Sequence, residues 1–456
     1  VYKRQKYAIS KFVYPASVLT VPENIVKKLK DIVYFYLWGK RDRIKRSTIV
    51  NDRINGGLNM IDIDSFLCSL KAAWVDRLSS CQGKWSDVYK LSLMKIGFDH
   101  DYMLKTSIRN IKTFPILEKI PPFYQSVILS FNKSKTIKPF DKLNTYEILQ
   151  LPLWGCEYFK VKNACLYLRG WIKKGIYYAK DLVNNNGCIK NDVELYNCTE
   201  NTCNAFKEVL IVKQYILKRL KIIDVSIAPY VKIKPMSYVV YQNRIVQIHG
   251  SKSKLFYGML LNKIKRRGNM ETLYSQEFGF ENNISLWKNV YTQKLNNLSI
   301  PKLCEFNFKI LHNILPCGNI LSKWKNISAK CSYCGEVESI KHMLYDCLRI
   351  RNVWENISKL FRMPIGWKHI VCGFPKYSIS TKISCYDFII TVIAYSIFKE
   401  NSRRKFDSLD YAKLNIKKRV RENIVYYRHI MERLGNELTE CVQLEKLIEC
   451  MDSLSN

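Results

Sequence analysis

The sequence predicts a mainly α protein of several helical subdomains, with few short strands and one small module built around cysteines and a histidine. Three observations carry that expectation. Apolar residues recur at spacings of three and four along many stretches. Only 18 glycines and 13 prolines interrupt the 456 residues. Three cysteines and a histidine crowd into residues 331–347. Hydrophobic residues make up 47% of the chain, enough for packed cores, so a wholly disordered polyelectrolyte is excluded.

The first strong element follows Pro15. Thr20-Val21-Pro22-Glu23 has the form of a capping box with a proline in the first turn. Ile25, Val26, Leu29, Ile32, Val33, Tyr36 and Leu37 follow at helical spacing, and the helix should stop at Trp38-Gly39. Next comes Lys40-Arg41-Asp42-Arg43-Ile44-Lys45-Arg46, too densely charged to pack. A turn at Asn55-Gly56-Gly57 leads to Asp64, read as the cap of a helix carrying Phe66, Leu67, Leu70, Ala73, Trp74 and Leu78. Asp62 and Asp64 also have the form of paired metal carboxylates, but a cap is the commoner use of that pattern. Asp99-His100-Asp101 suits a solvated turn, and His249, His312, His369 and His429 have no partner pattern.

From about 85 to 215 the signal weakens, with loops at Pro121-Pro122 and at 184–187. Residues 209–220 have helical spacing, Ile223, Val225 and Ile227 alternate as in a strand, and another helix covers 255–264. A stripe of Leu303, Phe306, Ile310 and Leu311 halts at Leu315-Pro316-Cys317-Gly318, and Leu321 and Trp324 mark a short helix. The tail is helical over 388–398 and again along Ile416, Val420, Ile424, Tyr427, Met431, Leu434 and Leu438. Such a one-sided stripe needs a partner surface, another protein or a second copy. The expected divisions are 1–85 (helix, basic loop, helix), 86–285 (helical middle), 286–360 (the Cys/His module) and 361–456 (helical, basic tail).

Charge narrows the function classes. Against 39 acidic residues stand 74 Lys and Arg, for a net charge of +35. A surplus of that size repels itself unless an anion neutralises it, and polyphosphate is the usual partner. Three runs concentrate it: Lys40, Arg41, Arg43, Lys45 and Arg46; Lys263, Lys265, Arg266 and Arg267; and Lys417, Lys418, Arg419 and Arg421. Each run alone is most simply solvated surface. Three together, interleaved with Trp38, Tyr257, Tyr426 and Tyr427, point to RNA or DNA. The longest apolar run, Phe388 to Phe398, has eleven residues and is interrupted by Thr391, Tyr395 and Ser396, well short of the roughly 18 a membrane span needs. No charged-then-apolar leader precedes a cleavage site, so an intracellular location, nuclear or cytoplasmic, is expected. Sixteen cysteines spread over a long chain suit reduced thiols.

Cys331-Ser-Tyr-Cys334, then His342, then Cys347, offers three soft thiolates and an imidazole, the composition of a structural zinc site. A Cys-x-x-Cys turn can aim its amides at the sulfurs, and Gly335 permits that turn. His342 and Cys347 lie about 140° apart on an ideal helix, so one of them must sit at a helix end. Four protein donors leave no open position for water, which disfavours a catalytic metal. The alternative is four unrelated buried residues in a cysteine-rich chain.

Phe12-Val-Tyr14-Pro15, Phe35-Tyr-Leu37-Trp38-Gly39-Lys40, Ile44-Lys45-Arg46, Gly56-Gly57-Leu58 and Ala73-Trp74-Val-Asp-Arg77-Leu78 resemble the thumb and following region of LINE-type (non-long-terminal-repeat) retrotransposon reverse transcriptases. Separately, Phe308-Lys-Ile310-Leu311-His312-Asn-Ile314-Leu315-Pro316, Leu321, Trp324, the Cys331/Cys334/His342/Cys347 set and Trp354 resemble the zinc-binding domain of the same polyproteins. The resemblance implies that 1–85 is thumb-like, that 286–360 is the zinc-binding domain, and that the four residues ligate zinc. It implies a parent RNA-directed DNA polymerase with an endonuclease, whose catalytic parts lie N-terminal to this region. The chain has no Asp-Asp pair, so a truncated, non-catalytic piece that grips RNA template and target DNA is expected. The alternatives are a stand-alone zinc-containing binding protein derived from such an element, and a scaffold that binds protein.

Overall fold

The computed structural model describes residues 2–39, 42–80, 82–200, 204–281, 283–297, 300–323, 327–374, 383–406, 416–433 and 438–439. It is 62% helical, in agreement with the mainly α expectation, and strands occur in the described residues only as three two-stranded pairs. The chain forms two units, Val1–Gly39 with Ile61–Ile264 and Lys40–Met60 with Lys265–Asn456.

In the first unit a helix spans Tyr2–Val18 and passes through Pro15 instead of starting after it. The ring removes one N–H donor there without ending the winding. The next helix, Glu23–Trp38, stops at Gly39, whose φ of +78° suits a residue without a Cβ. Its N-cap is Pro22, with no side-chain cap, so the capping box on Thr20 does not form; instead the Pro22 carbonyl accepts from the N–H groups of Ile25 and Val26. Only Tyr34 of this helix is buried, while Ile32 and Tyr36 of its stripe are 65% and 58% exposed.

Ile63–Ala72 is capped by Asp62, not Asp64: an Asp62 carboxylate oxygen accepts from the Ser65 N–H at 2.8 Å. Asp64 is left to pair with Lys30. Ala73 breaks the expected single helix, and Trp74–Ser80 is a separate one. Asp99 likewise caps His100–Lys105, accepting from the Tyr102 N–H at 2.7 Å.

Behind these helices lies the unit's main core, drawn largely from the stretch with the weakest sequence signal. Trp154, Phe159 and Trp171 are fully buried, and Tyr102 donates its hydroxyl to the Trp154 carbonyl at 3.0 Å. The Pro122–Ser134 helix contributes Tyr124, Val127, Ile128 and Phe131. No strand forms at 223–227. Asp224 accepts from the Ser226 N–H at 2.9 Å and folds that stretch into a turn. The unit's longer β-pair is Tyr238–Tyr241 with Arg244–Gln247, joined by Gln242 and Asn243 at φ +51° and +59°. That two-residue turn has the left-handed geometry that matches strand twist.

The second unit is centred on the Cys385–Phe406 helix, where Phe388, Ile389, Ile390, Val392, Ile393 and Ile397 are fully buried. The Ile416–Arg433 helix packs along it and buries Val420, Ile424 and Tyr427, so an intrachain helix covers these stripe positions. Asn423 donates to the Ser396 hydroxyl at 2.9 Å. In the 51–60 loop, a Cβ at Gly56 would lie 2.5 Å from the Tyr291 ring, and one at Gly57 would lie 2.0 Å from the Asn51 carbonyl oxygen. Both glycines are therefore required by close approach.

Candidate metal centre

The sharpest cluster of donor side chains lies in the second unit. Lys330 and Val337 form an antiparallel bridge that holds a knuckle between them. Within it the Gly335 N–H bonds the Cys331 carbonyl at 2.9 Å and the Cys331 N–H bonds the Glu336 carbonyl at 2.7 Å. Gly335 sits at φ +75°, the left-handed position that lets the turn close. The closed turn places Cys331 and Cys334 side by side.

The other two donors come from a different winding. Residues His342–Asp346 form a π-helical turn, and the Cys347 N–H bonds the His342 carbonyl at 3.0 Å, an i to i+5 bond. Cys347 itself is extended, at φ −61° and ψ 129°, and is the N-cap residue of the Leu348–Phe361 helix. One donor does sit at a helix end, as the spacing requires. The wide turn also swings positions five apart towards one side, which an α-helix cannot do. Ser339 steadies its start by accepting from the His342 N–H at 3.0 Å.

The four donor atoms lie within 4.8 Å of one another. Cys331 and Cys347 sulfurs are 4.0 Å apart, and the Cys334 sulfur is 3.2 Å from His342 Nε2. In a tetrahedral site with zinc–sulfur bonds of about 2.3 Å, sulfur–sulfur edges are about 3.8 Å. The donor set therefore fits a metal ion in both chemistry and size. Burial alone would raise the Cys331 thiol, but the Cys334 and Tyr333 amides, with the His342 and Cys334 side chains, outweigh it and hold it at about 7. Burial pushes Cys347 up to about 11, helped by the neighbouring Cys331 sulfur and opposed by the Arg349 amide. A cation at the centre would favour both thiolates.

Glu338, 1% exposed, anchors the knuckle. Its carboxylate accepts from the Gly318 N–H at 2.8 Å, from Asn401 at 3.3 Å and from Lys405 at 2.5 Å. The module is thus tied to the Cys385–Phe406 helix by a buried ion pair. Nothing in the sequence marks this residue, because a lone Glu between Val337 and Ser339 carries no spacing signal.

The basic residues meet different fates. Lys40, Arg41, Trp324 and the Lys417 side chain lie outside the described residues. Lys45, Lys418 and Arg421 are exposed, and Arg43 and Lys265 are half-buried. Arg46 pairs with Asp42 at 2.7 Å, Arg267 with Glu271 at 2.5 Å, and Arg419 approaches Glu400 at 3.9 Å. Within the second unit the first two runs converge: Asn51 donates to the carbonyl of exposed Arg266, 215 positions away, and the Arg266 N–H bonds the Ser47 carbonyl. Lys263, in the first unit, donates instead to the Lys133 and Lys135 carbonyls at the end of the Pro122–Ser134 helix. Eleven cysteines are free in the described residues, and no described helix is long and apolar enough to cross a membrane.

A three-cysteine, one-histidine knuckle closed by a π-turn defines a small metal-binding module whose four protein donors make a complete shell. Residues 269–354, which contain all four donors, match the family described as zinc-binding in reverse transcriptase. The segment is a zinc-binding domain of the kind associated with reverse transcriptases. No curated protein matches the chain.

Proposed function

We propose that the chain is the non-catalytic C-terminal part of a LINE-type retrotransposon reverse transcriptase, gripping RNA template and target DNA beside the polymerase. The observation that carries this reading is the family match over 269–354, coinciding with the gathered Cys331, Cys334, His342 and Cys347. Zinc is the ion that the donor set suits, in a structural role: the complete shell orders the knuckle and leaves no site for a reacting water. The thumb-like assignment of 1–85 rests on the motifs around Trp38, Gly56 and Trp74. The net charge of +35 and the converging basic segments around Arg43–Arg46 and Lys265–Arg267 supply the cationic surface.

The test is a metal assay with a salt titration of oligonucleotide binding on the purified chain. One zinc per chain is expected. The logarithm of the affinity should fall with log salt at a slope of about −0.7 per neutralised phosphate for single strands. A flat salt dependence, or a metal-free chain, overturns the reading.

A further inference from the structure

The first unit contains an open cleft of about 900 Å³ that the proposed function does not use. Four separate elements build its floor. Val26 comes from the Glu23–Trp38 helix, Leu67 from Ile63–Ala72, Leu129 from Pro122–Ser134 and Leu260 from Ser253–Ile264. Leu19, 65% exposed, extends the floor at one end.

The charge of the lining is ordered. Lys27 and Lys133 are exposed on the rim, on different helices. Lys30 and Asp64 pair with each other, and Lys71 is occupied by the Ser17 carbonyl at 3.1 Å and the Phe123 ring at 4.6 Å. Glu23 is the remaining acidic group in the lining. The cleft thus offers an aliphatic bottom with an edge where, beside the Lys30–Asp64 pair, two exposed lysines outnumber one exposed carboxylate.

Among the described residues the lining also lacks something: it contains no aromatic ring and no arginine. Unstacked bases are held chiefly on aromatic faces and guanidinium planes, so this trough is poorly built for a nucleic-acid strand. Branched aliphatic floors between helices, edged by one sign of charge, are how proteins receive an amphipathic helix of the opposite sign. We propose that the cleft is the docking site for an acidic amphipathic helix of a partner protein, its Leu-type anchors seated over Leu67, Leu129 and Leu260 and its carboxylates facing Lys27 and Lys133. The inference is independent of the reverse-transcriptase reading.

The test is fluorescence anisotropy on the full chain. Its probe is a labelled peptide of about 18 residues, five helical turns, with Leu at i, i+3, i+4 and i+7 and Glu on the flanks. A scrambled peptide of the same composition controls for attraction to a +35 chain. Saturable binding is expected, weakened about tenfold by scrambling, and about tenfold by Lys27→Glu with Lys133→Glu. Leu129→Asp should weaken it as much, read well below the variant's own melting temperature because Leu129 also packs partly on the unit's core. Equal affinity for both peptides, or indifference to Leu129→Asp, overturns the proposal. So does displacement of the peptide by a poly(U) oligonucleotide whose own affinity falls in the Leu129→Asp chain, which would assign the cleft to nucleic acid.

Discussion

Trp154 and Trp171 in the first unit are as deeply buried as Cys347 in the second, yet the two regions are held by different forces. Around the tryptophans, rings meet rings: the two indoles stand 6.4 Å apart edge to face, and Trp154 donates to the Ile176 carbonyl at 2.8 Å. Many dispersed contacts share the load there, each worth little alone. The knuckle at 329–347 buries Ile340, Met343 and Leu344, but its geometry converges on four donor atoms within 4.8 Å. A core of the first kind loses stability gradually as contacts are removed. The second kind concentrates much of its order on one four-donor site.

The largest effect should come from removing that ion. Structural zinc supplies on the order of 10–16 kcal/mol of coupled folding free energy, so Cys331→Ser or strong chelation should unfold the knuckle. Hydrogen exchange should show protection lost over 329–347 and kept around Trp154; uniform loss would break the distinction. Trp154→Ala should cost the first unit about 3–5 kcal/mol, read by chemical denaturation, with zinc content unchanged. Glu338→Ala strands Lys405, which is 12% exposed, without its carboxylate. It should cost the second unit about 3 kcal/mol and lower zinc retention in a chelator titration.

Acid should separate the units further. Burial holds His312 down at about 4 from its ordinary 6.5, against the opposing pull of the Gly56 carbonyl, which His312 Nε2 meets at 2.7 Å. The unfolded chain therefore takes up that proton first as pH falls. Its contribution is complete above about pH 6.5 and is lost down to about 4, amounting to roughly 3 kcal/mol. His312→Gln should flatten the second unit's denaturation midpoint across that window; an unchanged pH profile would count against it. The smallest effect is expected at Lys263. Because its ammonium group caps the end of Pro122–Ser134, Lys263→Met should cost about 1 kcal/mol in thermal melts and leave the salt slope of oligonucleotide binding unaltered.

Much of the second unit was legible because its signals are local. The stripe through Leu303, Phe306, Ile310 and Leu311 became the Pro301–Leu311 helix, and the Cys/His spacing marked residues that the fold brings together. The core around Trp154 was not legible. It is assembled from helices as short as Arg169–Lys173 and single-turn segments such as Pro115–Lys119, too brief for a period of 3.6 to register. Alternation at 223–227 misled because an Asp–Ser turn outcompeted strand pairing, while the turn at Gln242-Asn243 lacks the glycine that usually announces a hairpin. Asp62 and Asp64 differ only in which oxygen reaches a free amide, and Lys263 could not be told from a phosphate-binding lysine until its carbonyl partners were located.

The loop at 51–60 belongs to the same unit as the zinc-binding segment although more than two hundred positions separate them. Anyone excising the metal domain at residue 265 would discard the backbone oxygen that receives the His312 ring and the glycine, Gly56, that lies against Tyr291. Such a shortened polypeptide would carry every candidate ligand and still expose the Tyr291 ring and the His312 imidazole that the loop covers. Supplying residues 40–60 as a separate peptide should cover both again.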